Sequence, residues 1–384
     1  MRLLIAGGGT GGHIYPALAV ARALRDRPNA PDLVWLGGHR GLEADLVGDA
    51  GIRVRRLVLR SLRSVDMSVH AVLDPVRLGL SVPQAAAILA AERPAAILTT
   101  GGYVSVPTLL AAVPLRIPVV LWEGNAIPGR AVRATARLAD ALAVSYEAAG
   151  AALAAAHRPT FVTGTPIRDV HAITRAQARA RLDLPADAPT ILIFGGSQAV
   201  RRFNAAVTAA LPRLVERVDV IHVSGESGYA AALAQREQLS ADRRSRYRPY
   251  PYLRDDMLAA LVATDLVVGR AGSSTVAEVT ALGIPAVIVP YPHAAGHQGA
   301  NAEILAAAGA ARIVADDAFD ADALVTASEI LFDEPTRMAM AAAARRFGRP
   351  RAAEAIAALV LALAERRPLP DAAAIEAIAR GVAA

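Results

Sequence analysis

A chain of 384 residues is long enough for two or three domains with full hydrophobic cores, so a small scaffold held together by staples is excluded. Hydrophobic residues make up 54%, charged residues 20% and aromatics 4%, the composition of a globular protein with an aliphatic, alanine-rich interior. Cysteine and lysine are both absent, which excludes disulfides, thiol nucleophiles, cysteine-ligated metal centres, Schiff bases and a Walker lysine. The 41 basic residues, all arginine, exceed the 35 acidic ones by a net +6. That mild surplus suits an anionic ligand or an anionic membrane surface, and so few rings make a base-stacking platform for nucleic acid unexpected.

The N-terminus reads Met1-Arg-Leu-Leu-Ile-Ala and then meets a glycine run, too short an apolar stretch for a secretion signal. Leu3–Ala6 predicts a first strand, followed by a glycine-rich turn and a helical pattern. Further short aliphatic runs stand at Leu33–Leu36, Ala96–Leu98, Val119–Trp122 and Ala141–Val144. The same phrase of strand, glycine loop and helix restarts at Ile191-Leu-Ile-Phe-Gly-Gly-Ser-Gln198, with later runs at Val220–Val223, Leu266–Val268 and Ala286–Val289. Continuous apolar runs are the signature of parallel strands covered on both faces, and strand–helix alternation predicts an α/β chain with right-handed crossovers. Two phrases predict two doubly wound domains, 1–162 and 163–340, with a ligand cleft expected between them. A helical tail, 341–384, with an amphipathic piece from Ala352 to Arg367, is expected to pack back on the domains. The most apolar stretch, Val104 to Trp122, is interrupted by Pro107, Pro114, Arg116 and Pro118, so it does not predict a membrane-spanning helix.

Gly7-Gly8-Gly9-Thr10-Gly11-Gly12 contains the dinucleotide fingerprint. The second strand, however, runs into Gly37-Gly38 and lacks the acid that would hold a ribose, which argues against a nicotinamide or flavin cofactor. What remains is a loop that brings backbone amides close to something negative or polyhydroxylated, repeated at Gly101-Gly102 and at Gly195–Gln198. His13 follows the first loop at a strand's carboxyl end. As a neutral imidazole it could take a proton from a hydroxyl nucleophile, or it could simply pack against the loop. In Arg270-Ala-Gly-Ser-Ser-Thr-Val-Ala-Glu278 the small polar residues suit a phosphate, and Glu278 could accept from ribose hydroxyls. Thr275 and Glu278 also spell a capping box, the structural alternative for both.

Taken together these segments resemble the family of bacterial peptidoglycan N-acetylglucosaminyltransferases. The similarity runs through Gly8–Ala21, Gly41-Leu-Glu43, Gly101–Ser105, Glu123–Gly129, Gly164–Arg168, Gly195–Gln198, Asp255-Asp-Met257, Arg270–Glu278, His297-Gln298 and Asn301-Ala302. The chain departs from the family pattern at Trp122, Gly124, Ala199 and His297. The resemblance implies a GT-B fold and transfer of N-acetylglucosamine from UDP-N-acetylglucosamine to undecaprenyl-diphospho-N-acetylmuramoyl-pentapeptide, lipid I, in cell-wall synthesis. It further implies metal-independent, inverting, single-displacement chemistry without a cofactor, and domain closure around the two substrates. On the donor side it implies Glu278 at the ribose, Arg270, Ser274, Thr275 and Ser197 near the diphosphate, and Gln298 at the sugar. Thr10, Gly11, Gly12, Asn125 and Arg168 complete the donor set. The acceptor diphosphate is expected at Gly9, Thr10, Gly101, Gly102 and Tyr103, and His13 and Glu123 are the two candidate bases. Another UDP-sugar transferase with a lipid or natural-product acceptor, a UDP-N-acetylglucosamine 2-epimerase and a non-catalytic nucleotide-sugar sensor are the alternatives. The epimerases carry adjacent glutamates where this chain has Ala277-Glu278.

Such an acceptor has its diphosphate at a bilayer surface, so the resemblance implies a peripheral position on the cytoplasmic face of the inner membrane, beside other cell-wall synthesis proteins. Arg55, Arg56, Arg60, Arg63 and Arg77 outnumber Asp66 and Asp74 near an aliphatic stretch comprising Val72, Leu73, Val76, Leu78, Leu80, Val82, Ile88 and Leu89. That combination suits an anionic membrane, although the same aliphatics could fill the core beneath a helix.

Overall fold

The computed structural model describes residues 1–9, 11–38, 43–59, 70–195, 200–253, 256–292 and 296–382, without the side chains of 43–45, 70–76 and 200. The chain divides into two compact units, one formed by Met1–Ile167 with Arg351–Ala384, the other by Arg168–Pro350. The first join therefore falls at 167/168, where 162/163 was expected. The segment drawn as a separate tail is shared: its residues before Arg351 belong to the second unit and the rest to the first.

The first unit alternates β1 (Arg2–Ala6), α1 (Gly11–Arg25), β2 (Asp32–Gly38), α2 (Glu43–Asp49), β3 (Arg53–Leu57), α3 (His70–Glu92) and β4 (Ala96–Thr99). It continues with α4 (Ser105–Leu115), β5 (Val119–Glu123), α5 (Arg130–Thr135), β6 (Ala141–Val144), α6 (Glu147–Ala152) and β7 (Thr160–Val162). Its strands form one parallel seven-stranded sheet in the order β3-β2-β1-β4-β5-β6-β7. Successive strand residues point to opposite faces. Leu3, Ile5, Trp35, Leu98 and Trp122 accordingly enter one core, and Leu4, Ala6, Leu36, Ile97 and Leu121 enter the other.

The second unit runs α7 (Arg175–Arg181), β8 (Thr190–Phe194), α8 (Val200–Leu214), β9 (Asp219–Val223), α9 (Glu226–Glu237), α10 (Ala241–Arg244) and β10 (Tyr247–Tyr250). Then follow α11 (Met257–Ala263), β11 (Leu266–Gly269), α12 (Ser273–Leu282), β12 (Ala286–Ile288), α13 (His297–Ala307), β13 (Ala311–Ile313), α14 (Ala321–Ser328) and α15 (Glu334–Phe347). Its parallel six-stranded sheet has the order β10-β9-β8-β11-β12-β13. In both sheets the order reverses beside the strand that leads into a glycine loop, the topological switch point at which open α/β sheets bind ligands.

Two final helices, α16 (Ala352–Ala364) and α17 (Ala372–Arg380), return to the first unit. Ile356, Leu359, Val360 and Ile375 join the core that α1 shares with one sheet face. Truncating a fully buried Leu359 there should cost about 2–5 kcal/mol, so these helices are part of the fold and not an appendage.

All the apolar runs read as strands are interior strands. The ones that sequence reading missed, β3, β7, β10 and β13, are the sheet edges. β3 is rich in arginine and β10 contains Pro249, both devices that discourage edge-to-edge pairing. Arg53 and Arg55 on β3, with Arg2 on β1, converge on the buried carboxylate of Glu92 at the end of α3.

Candidate functional site

In the first unit, the site residues are gathered at the carboxyl ends of β1, β4 and β5. His13 stands in the first turn of α1, and its Nδ1 lies 2.6 Å from the carbonyl oxygen of Thr100, just beyond β4. A carbonyl can only accept, so Nδ1 carries the proton and Nε2 is the basic nitrogen of the neutral ring. The Thr100 hydroxyl returns a bond to the His13 carbonyl at 3.0 Å, so the two residues are joined twice. Gly101 and Gly102 then pass the imidazole in the left-handed region, φ 80° and 73°, and a Cβ on Gly102 would stand 3.6 Å from His13 Nε2. The backbone conformation favours glycine at both positions, and a Cβ would in addition come within 3.2 Å of Val132 at the first and 3.3 Å of the Gly8 carbonyl at the second.

Tyr103, expected at the acceptor diphosphate, lays its ring across Gly9 and Gly38, where a side chain would collide with it. Trp35 and Trp122 donate their indole N–H groups to Gly7 and Gly164 carbonyls at 2.9 and 3.1 Å, propping the loops from beneath. The tryptophan at 122 thus belongs to the core, and that departure from the family pattern is structural.

Glu123 ends β5 with 5% exposure. Its Oε1 accepts from the Asn125 backbone and side-chain nitrogens at 2.8 and 3.1 Å, and its Oε2 accepts from the Gly129 amide at 2.8 Å. Three donors hold the carboxylate as the organiser of the turn before α5. Gly11 and Gly12 open α1, while Thr10 lies outside the described residues.

In the second unit, α12 starts with Gly272 as its N-cap, and no side chain caps it. Thr275 and Glu278 therefore stand inside the helix, and the capping-box reading is overturned because the helix begins a turn earlier than that pattern requires. The first rung of the ladder is Val276 N–H to Gly272 O at 3.0 Å. The amides of Ser274 and Thr275 precede it and are aimed outward from the helix N-terminus.

Glu278 is buried, and its Oε1 accepts from Arg168 Nε at 3.0 Å. Burial pushes its carboxyl above the usual range, and the Arg168 guanidinium draws it back. Arg270, expected at a diphosphate, is committed elsewhere. Its Nη1 lies 3.0 and 3.3 Å from the Val289 and Pro290 carbonyls and 2.5 Å from Asp316 Oδ1, and its guanidinium packs on the Phe203 and Tyr291 rings. It therefore braces the ends of β11 and β12. Gln298, in the first turn of α13, accepts from the Tyr291 amide at 3.0 Å, which directs its side-chain nitrogen elsewhere. Ser197 lies outside the described residues.

Sequence reading missed Thr100, which acts through its own backbone, and named Asn301 without a role, a residue fully buried with its amide on the Ala271 carbonyl at 3.1 Å. It also missed the network around His222. Asn204 Nδ2 donates to the Ser224 carbonyl at 2.9 Å, so its Oδ1 must accept from His222 Nε2 at 3.1 Å, and His222 Nδ1 accepts from the Tyr247 hydroxyl at 2.8 Å. Burial keeps this histidine neutral, its pKa pushed down to about 4.

The stretch expected at a membrane divides. Leu89 is buried in the core and Arg55 is bound to Glu92, whereas Leu80 is 63% exposed; Arg60, Arg63 and Asp66 lie outside the described residues. On α4, which packs against α3, Leu110, Val113 and Leu115 are also exposed. Among the described residues no helix is long and apolar enough to cross a membrane.

Residues 3–144 match the Glycosyltransferase family 28 N-terminal domain, and residues 190–356 match the Glycosyltransferase family 28 C-terminal domain. A protein of Desulforudis audaxviator named UDP-N-acetylglucosamine--N-acetylmuramyl-(pentapeptide) pyrophosphoryl-undecaprenol N-acetylglucosamine transferase is 37% identical over 372 residues, 95% of this chain and 99% of its own. A Corynebacterium diphtheriae protein of the same name is 39% identical over 373 residues, 94% and 97% of the two chains. The crystal structure of Acinetobacter baumannii MurG superposes with a TM-score of 0.73 at 29% identity, covering 94% of this chain and 99% of that one. A putative UDP-N-acetylglucosamine 2-epimerase from Listeria monocytogenes reaches a TM-score of 0.68 at 16% identity, a likeness of fold alone.

Proposed function

The chain belongs to glycosyltransferase family 28 and has the GT-B fold, and from that premise we propose that it transfers N-acetylglucosamine from UDP-N-acetylglucosamine to lipid I, giving lipid II for peptidoglycan. The observation that carries the reading is His13, locked by the Thr100 carbonyl with its basic nitrogen at the glycine loops of the first sheet. Nε2 takes the proton from the acceptor O4 hydroxyl as that oxygen attacks the anomeric carbon. The bond from the anomeric carbon to the UDP oxygen breaks with its electron pair, the configuration inverts and UDP leaves.

In the second unit, the outward amides of Ser274 and Thr275, at the positive end of α12, receive the departing diphosphate, while Glu278 accepts from the ribose. Gln298 directs its amide nitrogen to the sugar. Arg270 and Glu123 support these elements without touching substrate.

The test is incubation with UDP-N-acetylglucosamine and a short-chain lipid I analogue. Acceptor-dependent UDP release with a disaccharide product is expected. A protein that binds UDP but releases none with the acceptor present, or that epimerises the sugar, would overturn the reading. Replacing Glu278 by Ala should weaken UDP binding by about 1.5–3 kcal/mol, the range for hydrogen bonds to charged groups.

The first unit meets the anionic cytoplasmic membrane surface through Leu80, Leu110, Val113 and Leu115, with Arg116 closing the exposed end of α4. Each arginine near an anionic leaflet adds about 1 kcal/mol. Sedimentation with vesicles should rise with anionic lipid and fall with salt. No association at low salt would remove the membrane from the reading.

A further inference from the structure

Arg168 is the first residue of the second unit, and Glu278 lies in the middle of α12, 110 residues further along the chain. No local pattern brings them together; the fold does. The pair is unequal: the Glu278 side chain is 9% exposed and that of Arg168 28%. Arg168 Nε engages Oε1 alone, and among the described residues Oε2 makes no hydrogen bond. The helices packed on α12 are α11, α13 and α15; α15 brings Arg345 against Gly283, at the far end of α12. Among the described residues Arg168 is the charged group that acts on Glu278, opposing the effect of burial.

We infer that Arg168 is a positioning residue for the donor nucleoside: through Nε it keeps Glu278 ionised and turned so that the other carboxylate oxygen accepts from the ribose hydroxyls. The selection of a ribose is then a property of the pair and not of Glu278 alone. The inference rests on the donor-site reading above, and it differs from the expectation that Arg168 serves by touching the donor itself. The two roles leave opposite signatures. A guanidinium that touches phosphate strengthens binding whether or not the ribose has hydroxyls. One that acts through Glu278 strengthens binding only when hydroxyls are present, and its loss hands control of them to the protonation of a buried carboxyl.

The experiment is calorimetric titration of the full chain with UDP and with 2′,3′-dideoxy-UDP, between about pH 6 and about pH 9. Both probes share the base and the diphosphate, so the ratio of their dissociation constants isolates the hydroxyls and cancels the titration of the phosphate itself. Wild type should prefer UDP by about tenfold or more at every pH. In Arg168→Gln the preference should collapse towards unity at the acid end and recover as pH rises, because the unpartnered carboxyl takes up its proton at higher pH. Arg168→Lys, which restores charge without the guanidinium fork, should show the same transition at lower pH. In a Glu278→Gln background, Arg168→Gln should leave the ratio unmoved.

Equal weakening of both nucleotides at every pH in Arg168→Gln would overturn the inference and assign Arg168 to the phosphates. If Arg168→Gln does not fold, equal weakening of both nucleotides at every pH in Arg168→Lys overturns it in the same way. A wild type that binds both probes equally would instead bring down the ribose assignment of Glu278, and the inference with it.

Discussion

In the first unit, His13 and Glu123 are fixed by backbone: one imidazole on one carbonyl, one carboxylate on two amides and a neighbouring side-chain nitrogen. In the second, Glu278 is held by the opposite charge of Arg168, and Arg270 by that of Asp316 together with two backbone carbonyls. Backbone dipoles neither titrate nor swing away, so the backbone partners in the first arrangement keep their character at any pH at which the unit is folded. Ion pairs depend on the protonation of their members, so the second arrangement can lose its geometry without unfolding. A group that exchanges a proton during turnover belongs on the first kind of support, and a group that must discriminate by charge can stand on the second.

The largest expected effect separates His13 from Glu123. His13→Ala should lower kcat by about 10²–10⁴ while leaving UDP affinity unchanged, since a positioned general base contributes that much. Initial rates of UDP release with saturating substrates measure it. Undiminished turnover in a folded His13→Ala variant would transfer the role of base to Glu123 and break the contrast between a reacting and a positioning group.

Next in size is an acid response confined to the second unit. His222 is held at about 4, below the ordinary imidazole value. As pH falls between the two values, the unfolded chain therefore holds a proton that the folded unit refuses, and stability is lost, by about 3 kcal/mol once both values are passed. Glu278, raised by burial, opposes this in the carboxylate range, because the folded form then binds the extra proton. Trp35 and Trp122 both lie in the first unit, so tryptophan fluorescence in urea reports on that unit, and hydrogen exchange of β9 amides reports on the second. The second should lose stability on going from about pH 7 to about pH 4.5, and His222→Gln should flatten the loss. An unchanged pH dependence in that variant would exclude His222 as its source.

Glu123→Gln comes third. Glutamine has one acceptor oxygen where the carboxylate offers two, so its amino group must face an amide donor at Asn125 or Gly129. Leaving a buried N–H unmet should cost about 1–3 kcal/mol, read by tryptophan fluorescence through the adjacent Trp122. A variant as stable as wild type would show that the turn before α5 does not depend on the carboxylate.

How much was legible follows from the same distinction. Interior strands such as Leu3–Ala6 and Leu266–Gly269 are apolar on both faces and stand out as runs. Edge strands such as Arg53–Leu57, largely exposed, and Tyr247–Tyr250 are interrupted by arginine or proline, so no apolar run marks them. His13, Glu123 and Glu278 were visible because polar residues just past strand ends and glycine loops are conspicuous. Thr100 was not, since its part is played by a carbonyl that every residue possesses. The Arg168–Glu278 pair was hidden by its separation in sequence, and Thr275-Val-Ala-Glu278 was misread because the pattern does not disclose that the helix had already begun at Ser273.

The smallest effect tests whether backbone support in the first unit is as self-sufficient as the comparison supposes. Thr100→Val keeps the carbonyl that receives His13 Nδ1–H and nearly keeps the side-chain shape, but removes the hydroxyl bond to the His13 carbonyl. A neutral hydrogen bond contributes about 0.5–1.5 kcal/mol, so kcat should fall by no more than about tenfold. The acid limb of the pH–rate profile should stay in place, because the titrating imidazole and its carbonyl partner are unchanged. A fall as deep as that of His13→Ala, or a displaced acid limb, would show that the hydroxyl and not the carbonyl sets the ring. The Thr100 hydroxyl also fills the space beside Gly7, where a Cβ would come within 2.8 Å of it, and valine places a methyl group there instead. Thr100→Ser, which keeps the hydroxyl and drops the methyl, should therefore retain the wild-type rate, and the pair of variants separates loss of the bond from crowding of the first glycine loop.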